Sequence, residues 1–226
     1  MSDISRQIAE EGLRIGAIKL RPDDPFEWAS GYRMPVYNDN RMFLFHPGSR
    51  RRIVEGLAGM VAAEDIAPEV VAGTATAGIP HGTLLADHLG LPFIYVRDKP
   101  KAHGLRNRIE GIDAERDLGG RRVVVIEDLI STGGSSARSI EAVREAAGVC
   151  TWCLAIFSYG LAPAEEAFAA LEPACQVRSL LTFDVLQEVA RDQGLLNAGQ
   201  LELLDEWRED PFGWGARHGF PRVEKA

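Results

Sequence analysis

The chain has 226 residues, with 25 Lys or Arg against 33 Asp or Glu and a formal net charge of −8. Hydrophobic residues at 46% and charged residues at 26% are globular values, and they exclude disorder, collagen and a long coiled coil. The length fits one large domain or a domain with an appended subdomain, and the acidic balance argues against a nucleic-acid partner, whose phosphates call for a basic surface.

The N-terminal MSDISRQIAEEG is charged and lacks an apolar run, so no signal peptide is expected. A helix is predicted from Ile4 to Gly16. Residues 22–40 are broken by Pro, Gly and Asn, and FEWASGYRMPVYNDNR (26–41) has aromatics without a clean period. This stretch is predicted as a hood of short strands. Beyond it, β-rich runs alternate with helical patterns. Glu69–Gly73 reads as a strand, Ile79–Leu89 as a helix and Pro92–Val96 as a strand followed by a polar loop. Arg122–Asp128 is a continuous Val/Ile run, the mark of a strand buried on both faces of a parallel sheet. Ser135–Ala147 is a helix with Ile140, Val143 and Ala147 on one face and Gly148 as its stop. Val149–Ser158 is a strand, Pro163 suits the first turn of the next helix, and Cys175–Leu181 is a further strand. Thr182 is read as the cap of a helix carrying Val185, Leu186 and Val189. Residues 197–226 hold a short helix with Leu201, Leu204 and Trp207, then an aromatic tail.

The expected organisation is residues 1–65 as N-terminal helix and hood, 66–196 as an α/β core, and 197–226 as a helix and tail packing on core or hood. Strand–helix alternation implies right-handed βαβ units, with ligands at the carboxyl ends of the strands. No apolar run approaches the roughly 18 residues of a membrane span. Three cysteines fit a reducing, cytoplasmic setting. Cys150 and Cys153 form a CxxC inside the run VCTWCLAIFSY, a buried strand rather than a strand-to-helix turn, and are read as structural.

The most informative stretch is VVVIEDLISTGGSS, Val123–Ser136. A buried strand ends in two carboxylates, Glu127 and Asp128. A short loop follows, and then a helix. Gly133 and Gly134 allow a tight turn and close approach of a ligand. The N–H groups of the loop and helix start form an anion cradle, with Ser131, Thr132 and Ser135 as hydroxyl donors. Carboxylates repel phosphate, so they should face sugar hydroxyls or a magnesium ion. The pattern fits a phosphorylated ribose. There is no GxxxxGK[ST] for an ATPase and no GxGxxG for a dinucleotide.

EDLISTGGS closely resembles the phosphoribosyl-diphosphate signature of type I phosphoribosyltransferases. GTATAGIPHG (73–82) is similar to the diphosphate loop of the orotate phosphoribosyltransferases, YVRDKPKAHG (95–104) to their catalytic loop, FEWASGYRMPVYNDNR to their hood in its Trp-Ala-Ser-Gly form, and LDEWREDPFGWG to their C-terminal segment. The resemblance implies a type I phosphoribosyltransferase fold: α/β, a central mostly parallel sheet flanked by helices, and an N-terminal hood subdomain.

It also implies an activity, joining orotate to phosphoribosyl diphosphate to give orotidine monophosphate and diphosphate in pyrimidine biosynthesis. Glu127 and Asp128 would bind ribose hydroxyls. Leu129, Ile130, Ser131, Thr132, Gly133, Gly134 and Ser135 would hold the 5-phosphate, and Ser131 would reach orotate. Arg97, Lys99, Lys101 and His103 would contact the diphosphate. Lys101, His103 and Asp128 are the expected catalytic residues. Magnesium would be held mainly through the substrate diphosphate, with no metal site made by the protein alone. The expected assembly is a homodimer with shared active sites, without nucleic-acid or membrane partners. A cis bond is implied at Ala75–Thr76. Some members of the family carry cations where this chain has Ala29, Ala77 and Gly160; Tyr37 and Asn38 align with hood positions facing the base. The alternatives are another base specificity on the same fold, or a donor-binding regulator without chemistry.

Overall fold

The computed structural model describes residues 3–99, 108–113 and 116–224. It comprises two compact units, Met1–Met42 with Asp184–Ala226, and Phe43–Phe183. In the first unit, helix α1 (Asp3–Ile15) is amphipathic and buries Ile8, Ala9 and Gly12. Four short strands follow: β1 (Ile18–Leu20), β2 (Phe26–Glu27), β3 (Arg33–Met34) and β4 (Val36–Asn38). β1 pairs antiparallel with β4, and β2 with β3. The strands are short because Pro22, Pro25 and Pro35 each lack a ladder donor.

The second unit holds the sheet. Its elements are α2 (Pro47–Ala63), β5 (Val70–Thr74), α3 (Gly78–Leu89), β6 (Phe93–Val96), β7 (Ile109–Glu110), β8 (Arg122–Ile130), α4 (Gly134–Glu145), β9 (Val149–Ser158), α5 (Ala162–Ala169) and β10 (Gln176–Thr182). The six strands run in the order β10-β9-β8-β5-β6-β7. All neighbours are parallel except β7, which is antiparallel to β6. This is the mostly parallel, helix-flanked α/β sheet expected from the alternation. β5 is buried at every residue and β8 from Val123 to Glu127, which explains their unbroken apolar runs.

Helix α6 (Phe183–Asp192) leads back to the first unit, where α7 (Ala198–Glu209) and α8 (Pro211–Arg217) follow. Asn197 and Gln200 form a capping box at α7. Trp207 and Trp214 are fully buried, and the Trp207 indole donates to Met34 Sδ at 3.1 Å. The tail closes on the hood turn, with the Val223 N–H donating to the Gly31 carbonyl at 2.9 Å.

Thr182 is the last residue of β10, paired with Ser158, and stands directly before α6 in the position read for its cap; α6 buries Phe183, Leu186 and Val189. The CxxC lies across an irregularity in β9: Arg122 opposes Val149, while Val124 opposes Trp152. The extra residue puts Cys150 and Cys153 in one core cluster, where strict alternation would separate them. A local expectation changes at the end of α4. Ala147, expected on the helix face, lies past its end at φ 58. Its N–H donates to the Arg144 carbonyl and that of Gly148 to Val143, both at 2.9 Å, so Ala147 holds the left-handed position usually given to glycine. Gly148 serves space instead, because a Cβ there would stand 2.7 Å from Leu118 Cδ1. Ala147→Gly should therefore raise unfolding stability by about 0.5–1 kcal/mol; an unchanged or lower urea midpoint would contradict this.

Candidate active site

β5 connects through α3 to β6 on one side of the sheet, and β8 through α4 to β9 on the other. The strand order therefore reverses between β5 and β8, which opens a crevice at their carboxyl ends. β5 pairs with β8 from Val70–Val123 to Gly73–Ile126. Past that point β8 runs on to Ile130 paired with β9. The strand is thus two residues longer than read from sequence. Leu129 and Ile130 are strand residues opposite Phe157 and Ser158, and Ile130 is buried, so it can offer a ligand only its backbone.

Glu127 and Asp128 sit at this crevice in different environments. Glu127 is 7% exposed, and its carboxylate is anchored inside the protein. Oε1 accepts from the Thr74 hydroxyl at 2.7 Å and from the Asp128 N–H at 3.0 Å, and Oε2 accepts from the Ser136 hydroxyl at 2.8 Å. Asp128 is half-buried. Burial, and then the charge and hydrogen bond of Glu127, push its carboxyl up to about 7. Asp128 is therefore largely protonated in mildly acidic solution.

The loop after β8 turns through Gly133 at φ +74. A Cβ there would stand 3.1 Å from Ala164 Cα and Phe168 on α5, so both backbone and packing call for glycine. Gly133 precedes α4 without a capping side chain, leaving the first N–H groups of the helix toward the loop formed by Ser131, Thr132, Gly134 and Ser135. Thr132 and Ser135 are exposed and Ser131 is half-buried. On the β5 side, the turn 75–77 enters α3, and the Ala75–Thr76 bond is cis.

Arg97 follows β6 and is held by β7: its guanidinium pairs with Glu110 at 3.1 Å, and its N–H donates to the Arg108 carbonyl at 2.8 Å. Lys99 is exposed. Lys101 and His103 lie outside the described residues. Sequence reading missed three contributors. Thr74 and Ser136 hold Glu127, and Thr74 lies 53 positions away, beyond any local pattern. Arg138 is the third: its Nη1 lies 3.5 Å from where a Cβ on Gly134 would stand, so a guanidinium reaches the first turn of α4. The four-residue spacing from Gly134 was its signal. Gly160 has φ 66, a conformation that a side-chain-bearing cation would adopt only under strain. A separate cavity of about 410 Å³ lies among α5, β9 and β10, lined by Leu161, Ala164, Phe168 and Val177, and shares only Ile130 with the expected site residues.

No described helix is long and apolar enough to cross a membrane. The phosphoribosyl transferase domain family matches residues 46–164. An orotate phosphoribosyltransferase of Lactiplantibacillus plantarum is 45% identical over 215 residues, covering 95% of this chain and 99% of that one. The Bacillus subtilis enzyme of the same name is 47% identical over 204 residues, covering 90% and 92%. The crystal structure of orotate phosphoribosyltransferase from Aeropyrum pernix superposes with a TM-score of 0.69 at 29% identity, covering 84% of this chain and 99% of that one. With a mostly parallel sheet, an acid pair at its switch point and a Gly-Gly turn after it, and with identity running nearly end to end, the chain belongs to the orotate phosphoribosyltransferases.

Proposed function

We propose that the chain transfers the phosphoribosyl group of 5-phosphoribosyl 1-diphosphate to orotate, releasing diphosphate and forming orotidine 5′-monophosphate in pyrimidine biosynthesis. The observation that carries this reading is the near-full-length identity to orotate phosphoribosyltransferases in a chain whose β8 ends in an acid pair and a Ser-Thr-Gly-Gly turn. The loop Ser131–Ser135 and the start of α4 receive the 5-phosphate. Asp128 and Glu127 accept from the ribose hydroxyls, with the Glu127 carboxylate held in place by Thr74, Ser136 and the Asp128 N–H. Ser131 reaches orotate. Arg97, Lys99, Lys101 and His103 serve the diphosphate, and Arg97 exchanges Glu110 for the ligand.

As the anomeric carbon becomes oxocarbenium-like, charge builds on the leaving diphosphate. Cations placed there stabilise this change. Magnesium is held mainly through the oxygens of the substrate diphosphate. When bound, magnesium neutralises part of the leaving group's charge. The working unit is a homodimer in the cytoplasm, each subunit serving the other's site.

The raised Asp128 carboxyl sets the pH dependence. Acceptance from ribose hydroxyls requires the ionised form, so donor affinity should fall about tenfold from pH 8 to pH 6, the ratio of ionised fractions either side of about 7. Asp128→Asn should flatten this limb, and an unaltered limb in that variant would assign the titration elsewhere. In the ligand-free chain the sign reverses. A carboxyl raised in the folded state favours folding at low pH, and that contribution is lost as the pH rises through about 7.

The test of the reading is to mix protein, magnesium and phosphoribosyl diphosphate with orotate, uracil or hypoxanthine and to follow loss of base absorbance. Turnover of orotate alone supports it. Turnover of another base moves the specificity, and donor binding without turnover favours a regulator.

A further inference from the structure

Glu127 is the meeting point of three segments. Thr74 is the last residue of β5, immediately before the turn into α3. Ser136 lies in the first turn of α4, immediately after the phosphate loop. The two hydroxyls reach the two oxygens of one buried carboxylate, at 2.7 and 2.8 Å. The Thr74 hydroxyl also lies 3.3 Å from the Ile126 carbonyl on β8. The turn after β5 and the loop after β8 are thus joined through a single side chain. Breaking either bond leaves a buried carboxylate oxygen short of a donor, a cost usually larger than the net gain from an ordinary hydrogen bond.

We propose that Thr74 and Ser136 are positioning residues for phosphoribosyl transfer, fixing through Glu127 the distance between the turn that faces the diphosphate and the loop that faces the 5-phosphate. This rests on the function proposed above. The donor carries an anion at each end, so a fixed spacing of the two loops acts on donor affinity and on the alignment of the breaking bond, and much less on orotate. Asp128 receives its orientation from the same clamp, because its N–H donates to the oxygen that Thr74 holds.

The test compares Thr74→Val, Thr74→Ser and Ser136→Ala by steady-state kinetics for each substrate, by calorimetric titration with phosphoribosyl diphosphate alone, and by thermal melting. At a temperature well below melting, Thr74→Val and Ser136→Ala should each lower kcat/KM for the donor about tenfold or more. The KM for orotate at saturating donor should stay within about twofold, and Thr74→Ser should recover most of the loss. A lowered melting temperature with wild-type donor kinetics would overturn the proposal and leave only a structural role. Equal losses toward orotate and donor, or no recovery by serine, would overturn it too. If Thr74→Val does not fold, Ser136→Ala and Thr74→Ser carry the comparison. If the wild-type chain binds the donor but leaves orotate untouched, the proposed function fails, and the calorimetric arm still decides whether the clamp governs donor binding.

Discussion

Gly78→Ala is expected to destabilise the chain by about 3 kcal/mol and to remove most donor affinity. A Cβ at Gly78 would overlap the Thr74 hydroxyl oxygen and stand 2.5 Å from the Ile126 carbonyl. The carbonyl belongs to β8, held between β5 and β9, and cannot withdraw. The hydroxyl can rotate, but only by leaving Glu127. What remains is for α3 to lift its first turn from β8 and carry the preceding turn with it. Gly59→Ala is the control. Gly59 lies inside α2 with open space around it, so alanine there should be neutral or stabilising by up to about 1 kcal/mol. Urea unfolding and donor kinetics on both variants check the contrast. A Gly78→Ala chain with wild-type midpoint and KM would show that the β5–α3 turn tolerates displacement.

Lys101→Ala is expected to cut kcat by about 100-fold or more, on the scale of a lost transition-state charge partner. The departing diphosphate gains charge as the glycosidic bond lengthens, and a cation on it is worth more then than in the ground state. The KM for orotate should change little, because orotate does not carry that charge. An unchanged kcat would remove Lys101 from the mechanism. The same variant tests the shared site. Neither Lys101→Ala nor Asp128→Asn homodimers should be active. Mixed and re-equilibrated, they should recover about a quarter of wild-type activity, since half the dimers are mixed and each then holds one intact site. No recovery would place each Lys101 in its own subunit's site.

The parallel core was legible because strands buried on both faces need unbroken Val/Ile runs. β9 was bounded at Val149–Ser158 as observed, and β5, β8 and α3 within two residues. What escaped was set by tertiary contact. The end of α4 was misread because Ala147 takes the left-handed position while Gly148 makes room for Leu118. The CxxC was correctly kept in a strand, but no local pattern reveals the irregularity that puts both sulfurs on one face. In the candidate site, the acid pair and the Gly-Gly turn stood in one stretch of sequence. The difference between the two acids did not. It arises because Thr74 and Ser136 converge on Glu127 and leave Asp128 half-buried against its charge. The opening imbalance of charge is also local in meaning. Eight Lys or Arg and five Asp or Glu fall between Arg97 and Arg122, so the cations gather on the segment proposed to meet diphosphate while the acid excess lies elsewhere.

The most direct measurement is product identification in a reaction of purified chain, magnesium, phosphoribosyl diphosphate and an equimolar mixture of orotate, uracil and hypoxanthine. The expected result is orotidine 5′-monophosphate and diphosphate in equal amounts, with uracil and hypoxanthine unconsumed. Formation of a different nucleotide, or retention of bound donor with every base intact, would contradict the account.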